Sequence, residues 1–261
     1  MKKLVLSFFV VSVVNFGSYA QSAEEKGLAI AKQADEADKG FESSTVSLKM
    51  ILTNKHGQES ERLLENKTLE LHNDGDKSLI VFNSPKDVEG TSTLTFTHKA
   101  SADDQWLYLP SLKRVKRISS DNKSGPFMGS EFAYEDLSSQ EVEKYNYKFI
   151  KEENVNGQAT YVIERYPLDP KSGYVKQVVW YNKENLRLEK IDFYDRKNAL
   201  MKTLTYHNYK LYLNKHWRAS EMEMENHLTG KATKLLFDNY KFKTGLDDQD
   251  FSQNSLVRAG G

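Results

Sequence analysis

The sequence contains no cysteine, and this absence excludes several kinds of chemistry. A chain without cysteine forms no disulfide bond, binds no metal through thiolates and has no cysteine nucleophile. It also lacks the residue that receives a lipid anchor after export. We therefore expect a protein that is not lipid-anchored.

Long apolar runs are also missing, except at the N terminus. Lys2 and Lys3 precede an apolar stretch over residues 4–16, and residues 18–20 offer the small side chains that a signal peptidase reads. No later segment approaches the roughly 18 consecutive apolar residues that a membrane-spanning helix needs. The pattern predicts a cleavable signal peptide over residues 1–20 and export out of the cytoplasm.

The length of the remaining chain, residues 21–261, fits one large β domain. Sandwiches and barrels commonly reach roughly 200 to 250 residues as single domains. We therefore expect a single domain after the signal peptide.

An excess of positive charge is missing as well. Lys plus Arg and Asp plus Glu are equal at 37 each, and loss of Lys2 and Lys3 with the signal peptide leaves 35 against 37, a net charge of −2. General nucleic-acid binding requires a large positive excess that displaces counterions. Nucleic acid is therefore not an expected partner.

Catalytic motifs are absent from the sequence. It has no His-Glu-x-x-His pair, no Gly-x-Ser-x-Gly elbow and no phosphate-binding loop. The six histidines are scattered without the spacing of metal ligands. We expect no catalytic residue, no metal site and no cofactor.

Two clusters of acidic residues have simpler explanations than metal binding or catalysis. Residues 247–250 include three aspartates and are typical of a helix start rather than of a calcium loop. Glu131, Glu135 and Asp136 are open to two interpretations. They are either an acid and base pair, or solvated loop charges or a strand salt bridge, and we favour the second.

Alternation with a period of two dominates the chain after a first helix predicted from about Ala23 to Gly40. The alternating segments, separated by short turns, number about eleven and predict a single antiparallel sheet in up-and-down order. Such a one-layer sheet has an apolar face that few helices are available to cover. A lipid or another apolar ligand is the natural candidate to cover the rest.

One segment resembles a known family closely. Asp104 to Ile118 (DQWLYLPSLKRVKRI), followed by Phe127 to Leu137 (FMGSEFAYEDL), resembles the outer membrane lipoprotein-sorting proteins, relatives of the LolA and LolB carriers. Residues 87–91, the hairpin from Arg187 to Asp195 and the tail around Phe251 are similar to the same family.

The resemblance implies a half-open β-barrel, a strongly curved sheet whose concave apolar face is covered by helices and a lid loop. It further implies a periplasmic, non-catalytic carrier that moves a lipid or the acyl chains of a lipoprotein between the inner and outer membranes. Relatives of this longer type are often associated with inner-membrane exporters of the RND class, so such an exporter is the expected partner of a monomeric carrier.

The candidate lipid-binding residues are apolar side chains at alternating strand positions and in the lid loop, residues 124–132, whose glycine-rich sequence makes its apolar residues look exposed. They are Leu48, Met50, Leu94, Phe96, Trp106, Tyr108, Phe127, Met128, Phe132, Met222 and Met224. Arg114 and Arg117, in a basic run beside the lid loop, are candidates for contact with a head group or a partner. Alternation does not determine which face of each strand is concave.

Other interpretations of the same residues stay open. The apolar positions fit the solid core of a β-sandwich equally well, and the basic run fits a charged edge strand that resists aggregation. The alternative function is a periplasmic adaptor of an exporter or envelope assembly that binds through residues 113–117 and the apolar lid loop and carries no lipid. A hydrolase is disfavoured by the missing catalytic motifs.

Overall fold

The computed structural model describes residues 21–260, with Ser120 described by its backbone alone. The predicted signal peptide lies outside these residues. No helix within them is long and apolar enough to cross a membrane.

Among residues 21–260, the longer regular elements are two α-helices and thirteen β-strands. The helices are α1 (Ala23–Asp38) and α2 (Gln253–Ala259). The strands are β1 (Ser43–Thr53), β2 (Glu59–Leu69), β3 (Lys77–Ser84), β4 (Ser92–Phe96), β5 (Asp104–Leu109), β6 (Arg114–Ile118), β7 (Tyr145–Val155), β8 (Gln158–Pro167), β9 (Tyr174–Asn182), β10 (Leu188–Asp195), β11 (Leu200–Tyr212), β12 (His216–Asn226) and β13 (Lys231–Phe242).

All thirteen strands form one antiparallel sheet in the order β6-β5-β4-β3-β2-β1-β13-β12-β11-β10-β9-β8-β7. The predicted single sheet is therefore confirmed, with thirteen strands instead of about eleven. Four residues of the basic run 113–117, from Arg114 to Arg117, lie in β6, which is an edge strand of the sheet. The order is two meanders, β1–β6 and β7–β13, that join where β1 pairs with β13.

The sheet curls without closing. Its two edges, β6 and β7, are consecutive in the chain and are joined by residues 119–144, which we call the β6–β7 segment. No pairing between β6 and β7 is found in the described part of the chain. A polar cavity of about 530 Å³ is lined from both sides of this gap, by Ile118 of β6 and Tyr145 of β7. The edges therefore face each other, and the predicted half-open barrel is confirmed.

The concave face carries the main apolar core, which we call the inner cluster. It contains buried residues from strands in both meanders, including Met50, Phe82 and Ile163. Helix α1 contributes Ile30 and Ala31 to it. A sheet whose distant strands share one cluster must wrap around that cluster, which assigns this face as the concave one.

A smaller apolar core, the outer cluster, lies on the other face of β3–β5. It consists of Leu79, Val81, Leu94, Tyr108, Phe251 and Leu256, with Phe96 and Trp106 packed against it. Strand β3 shows the division directly, because Ile80 and Phe82 belong to the inner cluster and successive strand residues point to opposite faces. Helix α2 and the turn before it cover this outer patch.

Helix α1 begins at Ala23 as predicted and ends at Asp38, two residues before the predicted end. Ser22 caps its N terminus in a reciprocal capping box with Glu25, and Gly40, with φ of 95°, follows its end. Gly27 lies directly against β7, where a Cβ atom would come within 2.8 Å of the backbone of Lys148. Only glycine permits this approach, so the first half of α1 is fixed closely against the sheet.

The β6–β7 segment is anchored to the concave face by buried polar contacts. Asp136 and Lys202 of β11 form an ion pair of 2.7 Å in which both side chains are almost fully buried. Asp136 also accepts a hydrogen bond from the Tyr174 hydroxyl, and the guanidinium of Arg62 donates to the Met128 carbonyl.

Glu131 and Glu135 fix the middle of the same segment. Glu131 accepts a hydrogen bond from the Asn226 amide at 2.6 Å, and Glu135 accepts from Ser172 and the Gly173 backbone. The interpretation of these acidic residues as solvated loop charges is therefore wrong, and the salt-bridge interpretation holds for Asp136.

Candidate functional site

The most prominent feature of the concave face is a cavity of about 490 Å³ between α1 and the second meander. Its volume lies within the roughly 300 to 1,000 Å³ that is typical of small-molecule sites. The residues that border it from α1 include Ala31, Ala34 and Ala37.

The cavity exists because α1 offers small side chains where the sheet offers large ones. Three alanines of the helix face Ile191, Phe193 and Leu204 of β10 and β11, together with a group of tyrosines. Because the side chain of alanine is only a methyl group, these residues do not fill the space between α1 and the sheet. The tyrosines are Tyr147, Tyr181, Tyr206, Tyr209 and Tyr240.

Charged residues surround the entrance. They carry both signs: Asp35 and Asp38 lie in the C-terminal half of α1 and Lys39 follows its end. The others are Glu70, Asp74, Asp76, Lys99 and Glu141 from the first meander and the β6–β7 segment, and Arg187, Lys215 and Arg218 from the second meander. Burial, followed by the neighbouring Glu141 and Glu70, raises the pKa of Asp76 to about 7. Burial also raises the pKa of Glu141, whose carboxylate accepts a hydrogen bond from Thr97.

Arg165 of β8 is the one arginine that is both buried and part of the cavity wall in the described residues. Its side chain is on the concave face because it follows Tyr161 and Ile163, which belong to the inner cluster, at a spacing of two. Its Nε donates to Gln177 Oε1 at 2.6 Å, and its guanidinium lies 4.8 Å from the ring centre of Tyr145.

The predicted lipid-binding residues are divided between the two apolar clusters. Leu48, Met50, Phe127, Met128, Phe132, Met222 and Met224 belong to or pack against the inner cluster. Leu94, Phe96, Trp106 and Tyr108 belong to or pack against the outer cluster, on the opposite face of the sheet. Met222 alone among the eleven borders the cavity.

The division has a physical reason in β4. Its concave face carries threonines, Thr93 and Thr95, and its apolar residues, Leu94 and Phe96, face outward. The C-terminal turn with Phe251 covers that outward face. An apolar side chain on a strand thus indicates burial, but not which face of the sheet is buried.

The apolar lid loop is buried, contrary to its exposed appearance in the sequence. Phe127 is 1% exposed and Phe132 is 3% exposed, and Phe127 packs 5.7 Å from Phe82 and 5.5 Å from Tyr134 between ring centres. Arg114 and Arg117, in contrast, are exposed on β6, where Arg117 pairs with Asp104.

The sequence interpretation missed Arg165 and the tyrosines. A usable signal was present, because Arg165 occupies a position in an alternating strand where Tyr161 and Ile163 indicate a buried face. A charged residue on a buried face is uncommon without a partner, which marks Arg165 as a residue with a specific role.

The comparison with solved structures decides the family. The structure of an outer membrane lipoprotein-sorting protein domain from Vibrio parahaemolyticus is 55% identical to this chain, with a TM-score of 0.89, and the match covers 90% of this chain and 100% of the other. The chain belongs to the outer membrane lipoprotein-sorting family. A family model described as "Uncharacterized protein" matches residues 74–258, which are more than half of the chain.

Two further structures extend the family's fold. A DUF1329 family protein from Desulfovibrio piger is 30% identical, with a TM-score of 0.84, over 90% of this chain and 99% of the other. A LolA superfamily protein from Nitrosomonas europaea is 24% identical, with a TM-score of 0.70, over 90% of this chain and 100% of the other. The fold is thus that of the LolA superfamily. No curated protein matches the sequence.

Proposed function

We propose that this member of the lipoprotein-sorting family is a non-catalytic periplasmic carrier that binds a lipid, or the acyl chains of a lipoprotein, in the cavity between α1 and the sheet. The observation that carries the proposal is the cavity itself. It lies between Ile191, Phe193 and Leu204 of the sheet and the alanines of α1. The name of the similar Vibrio protein, a lipoprotein-sorting domain, supports the same role and the same compartment.

The energetics favour an acyl chain as the occupant. Each methylene that moves from water into an apolar site contributes about 0.8 kcal/mol. A chain of which even half enters the cavity therefore binds with useful affinity and without a dedicated hydrogen bond.

The carrier acts as a monomer that collects its ligand at one membrane and releases it to a more apolar site at the other. An RND-type exporter in the inner membrane is the proposed source or acceptor. Of the predicted lipid-binding residues, Met222 is the one that we propose contacts the ligand directly, because it borders the cavity. The other inner-cluster candidates would support the wall from behind, and Leu94, Phe96, Trp106 and Tyr108 would have no contact with the ligand.

The test is native mass spectrometry, with lipid extraction, on protein purified from the periplasm. Ala34→Phe places a large ring in the cavity, whereas Gln33→Phe places the same ring on the exposed face of α1. We expect bound acyl species on the wild type and on Gln33→Phe, and their loss from a folded Ala34→Phe. Wild-type protein that is consistently empty would refute the carrier.

The adaptor function keeps one supporting observation, the exposed edge strand β6. Lys113, Arg114 and Lys116 are exposed there, and an open strand edge has unpaired backbone groups that a partner strand can bind. The buried lid loop no longer supports this function. Arg114→Glu with Lys116→Glu should abolish co-purification of an exporter if β6 is the docking strand, and should leave it unchanged if β6 is only a charged edge.

A further inference from the structure

The cavity wall contains a buried positive charge without a buried negative partner. Arg165 is 5% exposed, and the one side-chain hydrogen bond that it makes within residues 21–260 uses Nε and the neutral amide of Gln177. No carboxylate in that range lies within ion-pair distance of its guanidinium. Asp136, which also borders the cavity, is already paired with Lys202. An isolated buried charge is strongly unfavourable, so this one requires a function.

The terminal amino groups of Arg165 are accessible from the cavity. They make no hydrogen bond in the described structure, yet they are not among its buried atoms that lack a partner. The cavity that Arg165 borders is the space they open into. A guanidinium with two free, parallel donors matches the geometry of a carboxylate or a phosphate.

Tyrosine hydroxyls around Arg165 add further donors. Tyr181 and Tyr206 lie within electrostatic reach of the guanidinium and border the cavity. Their hydroxyls have no hydrogen-bond partner within the described range and, like the guanidinium, are not enclosed. By contrast, the Tyr147 hydroxyl is occupied by the Val142 carbonyl at 3.0 Å.

We infer that the ligand of this cavity is an acidic amphiphile whose carboxylate or phosphate binds Arg165, with Tyr181 and Tyr206 as additional donors. The inference rests on the proposed function and makes it more specific, because a neutral acyl chain would leave the buried guanidinium unpaired. The apolar floor of β10 and β11 then holds the hydrocarbon part. The acidic group is bound at Arg165 and not at Arg187 or Arg218, which also border the cavity but already pair with Glu189 and Asp38.

The experiment compares ligands of equal chain length by titration calorimetry at pH 8 on the delipidated protein. The probes are dodecanoate, dodecyl phosphate, the neutral dodecanol and inorganic phosphate. We expect one or both acidic amphiphiles to bind at least about tenfold more tightly than dodecanol, as a charge-assisted hydrogen bond to a buried group provides. The tighter of the two assigns the head-group class.

Arg165→Met is the decisive variant, and Arg114→Met removes the same charge from an exposed strand as its control. We expect Arg165→Met to bind dodecanol as the wild type does, to lose the tenfold preference for acidic ligands, and to melt at or above the wild-type temperature when empty. Arg114→Met should keep the preference. Tyr206→Phe, which removes one hydroxyl with little change of shape, should reduce the preference several-fold and tests the site if Arg165→Met does not fold.

Four results would overturn the inference. Equal binding of dodecanol and the acidic ligands by the wild type would do so, as would an Arg165→Met variant that melts lower and loses all ligands alike, which would indicate a purely structural arginine. An unchanged preference in folded Arg165→Met and Tyr206→Phe would contradict it as well. Inorganic phosphate that binds as tightly as dodecyl phosphate would show an anion site without a chain. If no amphiphile binds at all, the carrier proposal itself fails.

Discussion

Two parts of the concave face differ in how they are covered. Under the β6–β7 segment, Phe127 and Phe132 fill the space above β1–β3 with the protein's own rings. Under α1, alanines leave a cavity of about 490 Å³. Both parts of the sheet contribute apolar residues to the inner cluster, so we attribute the difference between a solid and a hollow barrel to the size of the side chains on the covering segment.

The filled part should be the more sensitive to truncation. Phe127→Ala removes a fully buried ring that packs on Phe82, and we expect a loss of about 3 to 5 kcal/mol of unfolding free energy. Chemical denaturation measures it. Phe96→Ala in the outer cluster, where Phe96 is partly buried, should lose less, and an equal loss would show that the filled part has no special role.

The anchor between the two parts is the buried ion pair of Asp136 and Lys202. Lys202→Met leaves the Asp136 carboxylate buried without its cation, which should cost about 3 to 5 kcal/mol. The exposed pair Lys49–Glu61 provides the control, because Lys49→Met should cost at most about 1 kcal/mol. Denaturation midpoints compare the two, and similar losses would contradict the burial of the anchor.

A matched pair of methionines on β12 compares a filled position with a hollow one. Met224 is fully buried, whereas Met222, two residues away on the same face, borders the cavity. We expect Met224→Ala to lose about 2 to 5 kcal/mol and Met222→Ala distinctly less, because no new cavity needs to be created around Met222. If both variants of the delipidated protein lost the same unfolding free energy, the cavity would be closed in solution.

The two halves of α1 differ in how closely they pack on the sheet. Gly27→Ala forces a methyl group against the Lys148 backbone and should destabilise the protein by about 1 to 3 kcal/mol. Ala34→Leu fills empty volume and should stabilise the delipidated protein by about 0.5 to 2 kcal/mol. Melting temperatures that shift in the same direction for both variants would contradict the difference between the two ends.

The smallest expected effect is a pH dependence at the entrance. The folded-state pKa of Asp76, about 7, lies above its ordinary value of 3.8, so its contribution to stability is complete below about pH 4 and is lost as the pH rises through 7. Asp76→Asn should therefore gain stability relative to the wild type between pH 5 and pH 8. We expect a modest gain because Asp76 is only half-buried, and a constant difference across this range would contradict the shifted pKa.

Much of the fold follows from the sequence because alternation and turn residues act locally. The helix at Ala23 and the alternation of Glu223 and Met224 are examples in which spacing determines the exposed side. The curvature and the pairing of β1 with β13 are not local, since they join residues almost 200 positions apart. The curvature became predictable through the family resemblance, whereas the pairing of β1 with β13 was not predicted.

The site was less predictable than the fold. Apolar periodicity identified Met222 and Met224 but also Leu94 and Phe96, because a strand covered on its outer face by the C-terminal turn has the same pattern as one covered on its inner face. Arg165 was missed because its significance depends on which residues surround it. The cavity exists because the covering helix lacks large side chains at positions such as Ala34. An alanine in a helix does not by itself indicate a cavity in the sequence.

The most direct test of the central claim is a crystal structure of the protein purified from the periplasm with its native ligand. The account predicts continuous density for a hydrocarbon chain between Ala34 of α1 and Phe193 of β10, with an acidic group within 3.5 Å of the Arg165 guanidinium. A cavity that is closed by movement of α1 onto the sheet, with no ligand density, would contradict it.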